Sequence, residues 1–255
     1  MRMDPIEPIR RFSGGRNREI AGLLASALAY GKVETIRATV EKVFSITGRD
    51  ILDFACSTSF KRKKELFHGF KHRFNDGADI ALFFECVRKA IYEKGSLEAL
   101  FGQAMTGDED NIKRPLNEFV KRMRRWAAES ADVVPDSFLH LFPMPESGSA
   151  CKRLNMYLRW MVRKNDGIDI GIWKNVGPEK LLIPVDTHVA AMARRLALTS
   201  RKNADWRMAE EITGNLKKIS PLDPVKYDFS LCRAGMVRFR NSIKVSTRFA
   251  SILQT

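Results

Sequence analysis

Apolar side chains recur along this chain at helical spacing. Ile20, Leu23, Leu24, Ala27 and Leu28 fall at i, i+3, i+4, i+7 and i+8, which is one stripe of a helix. Leu116, Phe119, Val120 and Met123 repeat the pattern, as do Val189, Met192, Ala193 and Leu196, and then Met208, Ile212, Leu216 and Ile219. Each set predicts an amphipathic helix with one buried face. Strand signals are confined to short apolar runs beside prolines, Val133–Val134 and Leu181–Ile183. The chain reads as all-α.

Breaks divide these helices. Asn75-Asp76-Gly77 and Asn165-Asp166-Gly167 are turn signals, each followed by an Asp and an apolar run. Asp79 and Asp169 are expected to cap the helices that follow. The longest irregular stretch is expected from Asp132 to Ser149, which holds Pro135, Pro143, Pro145 and Gly148. A second runs from Lys164 to Pro184 and ends at Asp186-Thr187-His188.

At 255 residues the chain is long enough to bury a sizeable core in one or two domains. The uncharged stretch near its start, Ile20 to Gly31, is far shorter than the roughly 20 residues of a bilayer span. No charged-then-apolar leader precedes it. The expectation is a soluble, cytoplasmic protein with no membrane partner. The four cysteines, Cys56, Cys86, Cys151 and Cys232, form no CxxC pair. That argues against a zinc ribbon or an iron–sulfur cluster. No cofactor or metal is expected.

Charge changes the picture most. Lys and Arg exceed Asp and Glu by 14, which favours a polyanionic partner: DNA, RNA or an anionic membrane surface. The partner expected here is double-stranded DNA, with RNA second. Basic clusters stand at Lys61–Lys64, at Lys121, Arg122, Arg124 and Arg125, at Arg194–Arg195, and in the tail at Arg238, Arg240, Lys244 and Arg248. Together they suggest a phosphate-tracking surface.

Two segments can carry chemistry. In Pro184-Val185-Asp186-Thr187-His188, Asp186 or Thr187 is a natural N-cap. A carboxylate there sits in the positive field of a helix start and can stabilise developing positive charge. In Gly148-Ser149-Ala150-Cys151-Lys152, small residues before a helix let backbone amides approach a phosphate. Lys152, at the helix start and near other cations, is a candidate amine nucleophile. Without further information a plain cap and a phosphate-contacting lysine are the simpler readings. Cys151 reads as a buried structural thiol.

The runs SGSACKRLNMYLRWMVRK, LLIPVDTHVAAMARRLALTSRK and DPVKYDF, with EIAGLLASALAYGKV, FKHRF and GSLEALF, resemble the DUF2400 family over most of the chain. That family in turn resembles the helix-hairpin-helix DNA glycosylases. The resemblance implies an all-α, two-lobed fold with a degenerate hairpin. One lobe would hold 1–29 with 186–255, the other 30–165, with 166–185 as an inserted linker. It implies a base-excision glycosylase, with or without abasic-site lyase activity, or a DNA- or RNA-binding protein that kept the fold without the chemistry. Lys152 matches the catalytic lysine and Asp186 the catalytic aspartate. Gly148, Ser149, Ala150 and Arg153, with His188, Arg194 and Arg195, would contact DNA. The hairpin's second glycine is Ala150 here, and 34 residues separate Lys152 from Asp186, about twice the glycosylase gap. Leu28 stands where a DNA-inserting glutamine often sits.

Overall fold

The computed structural model describes residues 5–164 and 166–241, with side chains up to 235. Within them the chain is overwhelmingly helical. The α-helices are α1 (Gly15–Ala27), α2 (Val33–Thr47), α3 (Ile51–Ser57), α4 (Phe60–Leu66), α5 (Gly77–Lys94), α6 (Leu97–Gly102), α7 (Lys113–Ser130), α8 (Asp136–Leu141), α9 (Lys152–Val162), α10 (Thr187–Arg195), α11 (Trp206–Ile219) and α12 (Asp228–Asn241). One antiparallel pair of two-residue strands, β1 (Lys71–His72) and β2 (Asn75–Asp76), precedes α5. A lone bridge joins Ser149 to Asp205.

α1 departs from the amphipathic expectation. Every residue from Glu19 to Ala27 is buried, so the helix is enclosed on all sides rather than along one stripe. Small residues permit this. A Cβ on Gly22 would lie 2.8 Å from the Met161 methyl and 3.3 Å from the Tyr157 ring, so α9 packs directly against α1 there. Leu28, in the position expected of an inserting side chain, is fully buried. It belongs to the core and presents nothing to a partner.

The turn signals behave differently from each other. Asp76 caps α5, accepting from Ala78 N (2.9 Å) and Asp79 N (3.3 Å), and Asp79 accepts in return from Asp76 N (3.1 Å). Asp79 is therefore the inner member of a capping box, not the cap itself. Around Asp166 no helix follows. Its carboxylate closes a turn on Ile168 N and Asp169 N, and Asp169 is buried among arginines instead of capping. Positive φ at Gly171 (65°) bends the chain away from a helix there. Asn165 lies outside the described residues.

The irregular stretch expected over 132–149 contains α8 and a 3-10 turn at Pro145–Ser147. The longer irregular segment is the later one. Among the described residues between α9 and α10 the only regular element is a 3-10 turn at Pro178–Lys180. Hydrogen bonds from Ile170 and Gly171 to Trp160 O, and from Trp173 to Met161 O, hold it against α9. α10 packs on α12, α1 on α9, and α5 on α7. No helix among the described residues is long and apolar enough to cross a membrane.

Candidate active site

The start of α9 is built from two left-handed residues. Gly148 (φ 82°) closes the preceding 3-10 turn, and Cys151 (φ 46°) is the N-cap of α9. The turn between them is anchored to α11: Trp206 N donates to Gly148 O (3.1 Å), and Ser149 bridges Asp205. Ser149 Oγ accepts from Cys151 N (3.2 Å). Cys151 itself caps nothing with its side chain. A non-glycine residue in this conformation costs about 1–2 kcal/mol, and a lysine at the first helical position opposes the helix dipole. Two local rules are broken at adjacent residues, which is where functional sites tend to fall.

Asp186 begins α10 as its N-cap. Its Oδ1 accepts from His188 N and Val189 N, both at 2.9 Å. That leaves Oδ2 facing outward, and Lys152 Nζ lies 3.9 Å from it. The two side chains are 34% and 22% exposed, so solvent and a ligand can reach both. An ion pair this exposed contributes at most about 1 kcal/mol to stability. The structure thus brings together the two residues singled out as catalytic, although 34 positions separate them in sequence.

The surroundings come from α9 and α12. Asp228 is buried and forms an ion pair with Arg159. Arg159 Nε also pairs with Asp169 Oδ1 at 3.2 Å. Arg163 pairs with Asp169, with Asp166 at 3.2 Å and with Asp223 at 2.9 Å. Burial pushes the Asp228 carboxyl above its usual range, opposed by the Arg159 and Lys152 cations. Cys232 is pushed up to about 12 by burial and by the Asp186 and Asp228 charges. Burial likewise drives Cys151 up to about 12. Neither thiol is a thiolate at neutral pH. An amine and a carboxylate are what this site offers for chemistry.

α12 approaches α10 at a glycine. A Cβ on Gly235 would lie 2.9 Å from both His188 Cβ and His188 O. The start of α10, with Asp186 and His188, is thus seated directly on the α12 backbone.

Other sequence-selected residues are placed as follows. Arg153 turns inward: it is buried, donates to Ala27 O and His140 O, and stacks 5.0 Å from the Tyr30 ring. Burial pushes its guanidinium down to about 10. Ala150 O accepts from Asn155 Nδ2 (3.0 Å). Arg194 and Arg195 are exposed on the last turn of α10, with Arg194 Nη1 donating to Lys202 O (3.3 Å). Several basic clusters serve structure. Lys63 is buried on Ala55 O and Glu85, and Arg124 binds Phe142 O and Leu139 O. Lys121 and Arg122 pair with acids. Trp160, Trp173 and Tyr157 are core residues. The side chains of Arg238, Arg240, Lys244 and Arg248 lie outside the described residues. Sequence reasoning missed Arg159, Arg163, Asp223 and Asp228, and took Asp169 for a helix cap. Charged pairs up to 69 positions apart leave no local pattern.

Among the described residues no three His, Cys, Asp or Glu side chains are grouped to hold a metal ion. In comparison with known proteins, one family model matches residues 4–237, described as a protein of unknown function, DUF2400. No curated protein and no solved structure matches.

Proposed function

The chain belongs to the DUF2400 family, and we propose that it is a base-excision-type glycosylase with lyase chemistry, acting on a damaged nucleotide extruded from duplex DNA. The observation that carries this reading is the meeting of Lys152 Nζ and Asp186 Oδ2 at 3.9 Å, partly open to solvent, at two adjoining helix starts. On this reading the turn Gly148–Cys151 stands in for the hairpin of the helix-hairpin-helix glycosylases, and the fold is a variant of theirs.

The chemistry follows from the pair. Lys152 must give up its ammonium proton to solvent before it can attack, because the Asp186 carboxylate, 3.9 Å away, lies beyond direct hydrogen-bond distance. The amine then attacks C1′ of the nucleotide, and the base departs with the glycosidic electron pair. The departed base takes a proton from water. The attached nitrogen loses its second proton to water, and its lone pair opens the C1′–O4′ bond. O4′ leaves with the bond pair and takes a proton from water, and a protonated imine remains between Lys152 and the sugar. Asp186, held in place by two backbone N–H groups, stabilises the cationic character at C1′ as the bond breaks. The network behind Asp228 keeps the start of α12 in register with α9.

Borohydride trapping tests this. The protein is incubated with duplexes carrying an abasic site, uracil, 8-oxoguanine or an alkylated base. Reduction converts the imine to a stable amine adduct. An adduct that disappears in Lys152→Ala supports the reading. No adduct and no released base, with salt-sensitive duplex binding intact, overturns it. The second reading, binding without catalysis, rests on the net charge of +14 and on exposed cations such as Arg194 and Arg195. It predicts that latter outcome, with tighter binding to structured RNA than to duplex DNA if RNA is the partner.

A further inference from the structure

The residue beside Lys152 leads to a second surface. Arg153 stacks on Tyr30, and the Tyr30 ring stacks on Phe74 with centroids 5.1 Å apart and planes 24° apart. His140 packs edge-on against both rings, at 4.9 and 4.4 Å. Phe74 and Arg73 form the two-residue tip between β1 and β2. Phe74 is 46% exposed.

The tip is costly and firmly held. Arg73 takes a left-handed conformation (φ 55°), which is strained for a residue with a side chain. An aromatic ring is left half in water. Yet the strands beneath are pinned. Asn75 Nδ2 donates to Asp79 Oδ2 (2.8 Å) and to Ser137 O (2.7 Å). The Tyr30 hydroxyl donates to Asn75 Oδ1 and to His72 O (3.1 Å). Strain on a rigid mount positions side chains. It does not arise from a loose loop.

The chemistry of the tip is aromatic and cationic. The Arg73 side chain lies over Gly31, with its guanidinium 5.9 Å from the Tyr30 ring. Lys32 and Lys71 are exposed nearby in sequence. Among the described residues Arg73, exposed at the tip, forms no ion pair with a carboxylate; Arg153 lies buried behind Tyr30, with its donors taken by Ala27 O and His140 O. A single exposed ring is too small for a stable protein interface and for a membrane anchor. Ring faces flanked by unpaired cations are what a nucleobase and its phosphates require.

We propose that the exposed face of Phe74, backed by Tyr30, is a stacking platform for a nucleobase that has lost its pairing partner. The proposal rests on the nucleic-acid reading above and adds a partner site that Lys152 chemistry does not require.

The test uses the full chain and three DNAs at matched salt: an intact duplex, the same duplex with one unpaired 2-aminopurine, and the single strand. Wild type is expected to quench the 2-aminopurine and to prefer the disrupted duplex. Phe74→Ala and Phe74→Leu should lose the quenching and weaken binding to that duplex by about 5- to 150-fold, the range of one base–aromatic stack. Binding to the intact duplex should change less than about twofold, because phosphate contacts dominate it. Equal quenching and preference in the variants overturn the platform, as does a wild type with no preference. A wild type that binds no nucleic acid overturns both readings. Quenching and preference without any borohydride adduct remove the lysine chemistry and leave the platform standing.

Discussion

Arg159 and Asp228 form an ion pair inside the protein, and both ends of that pair are almost fully buried. Arg159 belongs to α9, which begins at Lys152. Asp228 begins α12, which seats the start of α10. The pair therefore ties together the elements that carry the candidate catalytic residues. Removing one partner of a buried pair costs about 3–5 kcal/mol, because the other charge is left without compensation. Arg159→Met should lower unfolding stability by about that amount in urea titrations. A loss below about 1 kcal/mol would show that the pair does not tie these helices.

Gly235 offers a gentler way to disturb the same junction. An alanine there would place a methyl 2.9 Å from His188 Cβ and from the His188 carbonyl. Neither atom is the end of a flexible side chain, so α10 and α12 must separate. Gly235→Ala should destabilise by about 1–3 kcal/mol, as overpacking does, although alanine favours the helix itself. Borohydride trapping should fall as well, because Asp186 shifts with α10. Gly214→Ala on α11, where a Cβ meets nothing within 4 Å, is the control: it should leave trapping unchanged and raise stability by up to about 1 kcal/mol through helix propensity alone.

How much of this was legible depended on range. The helices built on Leu116–Met123, Val189–Ala193 and Met208–Leu216 follow from a 3.6-residue period, and Asp186 follows from its place before an apolar stripe. The segments NDGADIALF and NDGIDIGIW look alike, yet only the first starts a helix. The second is drawn into the arginine cluster by Arg159 and Arg163 on α9, a tertiary effect that no local motif records. The Phe74 tip left no signal either, since strands of two residues cannot show alternation. The proximity of Lys152 and Asp186 was reached through resemblance. Their spacing alone puts them at two helix starts without saying that those starts meet.

Glu19 gives a pH dependence that can be checked. It lies buried on α1 and accepts from Leu97 N (3.2 Å) and Glu98 N (3.3 Å), two unsatisfied donors at the start of α6. Burial, with the Glu98 charge adding to it, raises the carboxyl from 4.5 to about 7 despite those hydrogen bonds. The folded state thus holds a proton that the unfolded state has released. The stabilising contribution is complete below about pH 4.5 and is lost as pH rises through about 7. Its size is on the order of 3 kcal/mol. Stability measured from pH 4.5 to 8 should decline from this source in wild type, and Glu19→Gln should remove that part of the slope. A Glu19→Gln slope identical to wild type would refute the assignment.

Asp186 can be separated into cap and charge. As N-cap it satisfies His188 N and Val189 N, and asparagine caps as well as aspartate. Asp186→Asn should therefore keep stability within about 0.5 kcal/mol, whereas Asp186→Ala should lose about 1 kcal/mol more. If the residue is only a cap, trapping efficiency will follow stability, and Asn will behave as wild type. If its charge stabilises the cation at C1′, Asn will fail as badly as Ala in trapping. The expected loss is about 100-fold or more, as for removal of a preorganised electrostatic group. Binding to an intact duplex should not weaken in either variant, because the lost charge is negative. A decline in duplex binding alongside trapping would mean that Asp186 acts by shaping the DNA surface, and its role in bond cleavage would be withdrawn.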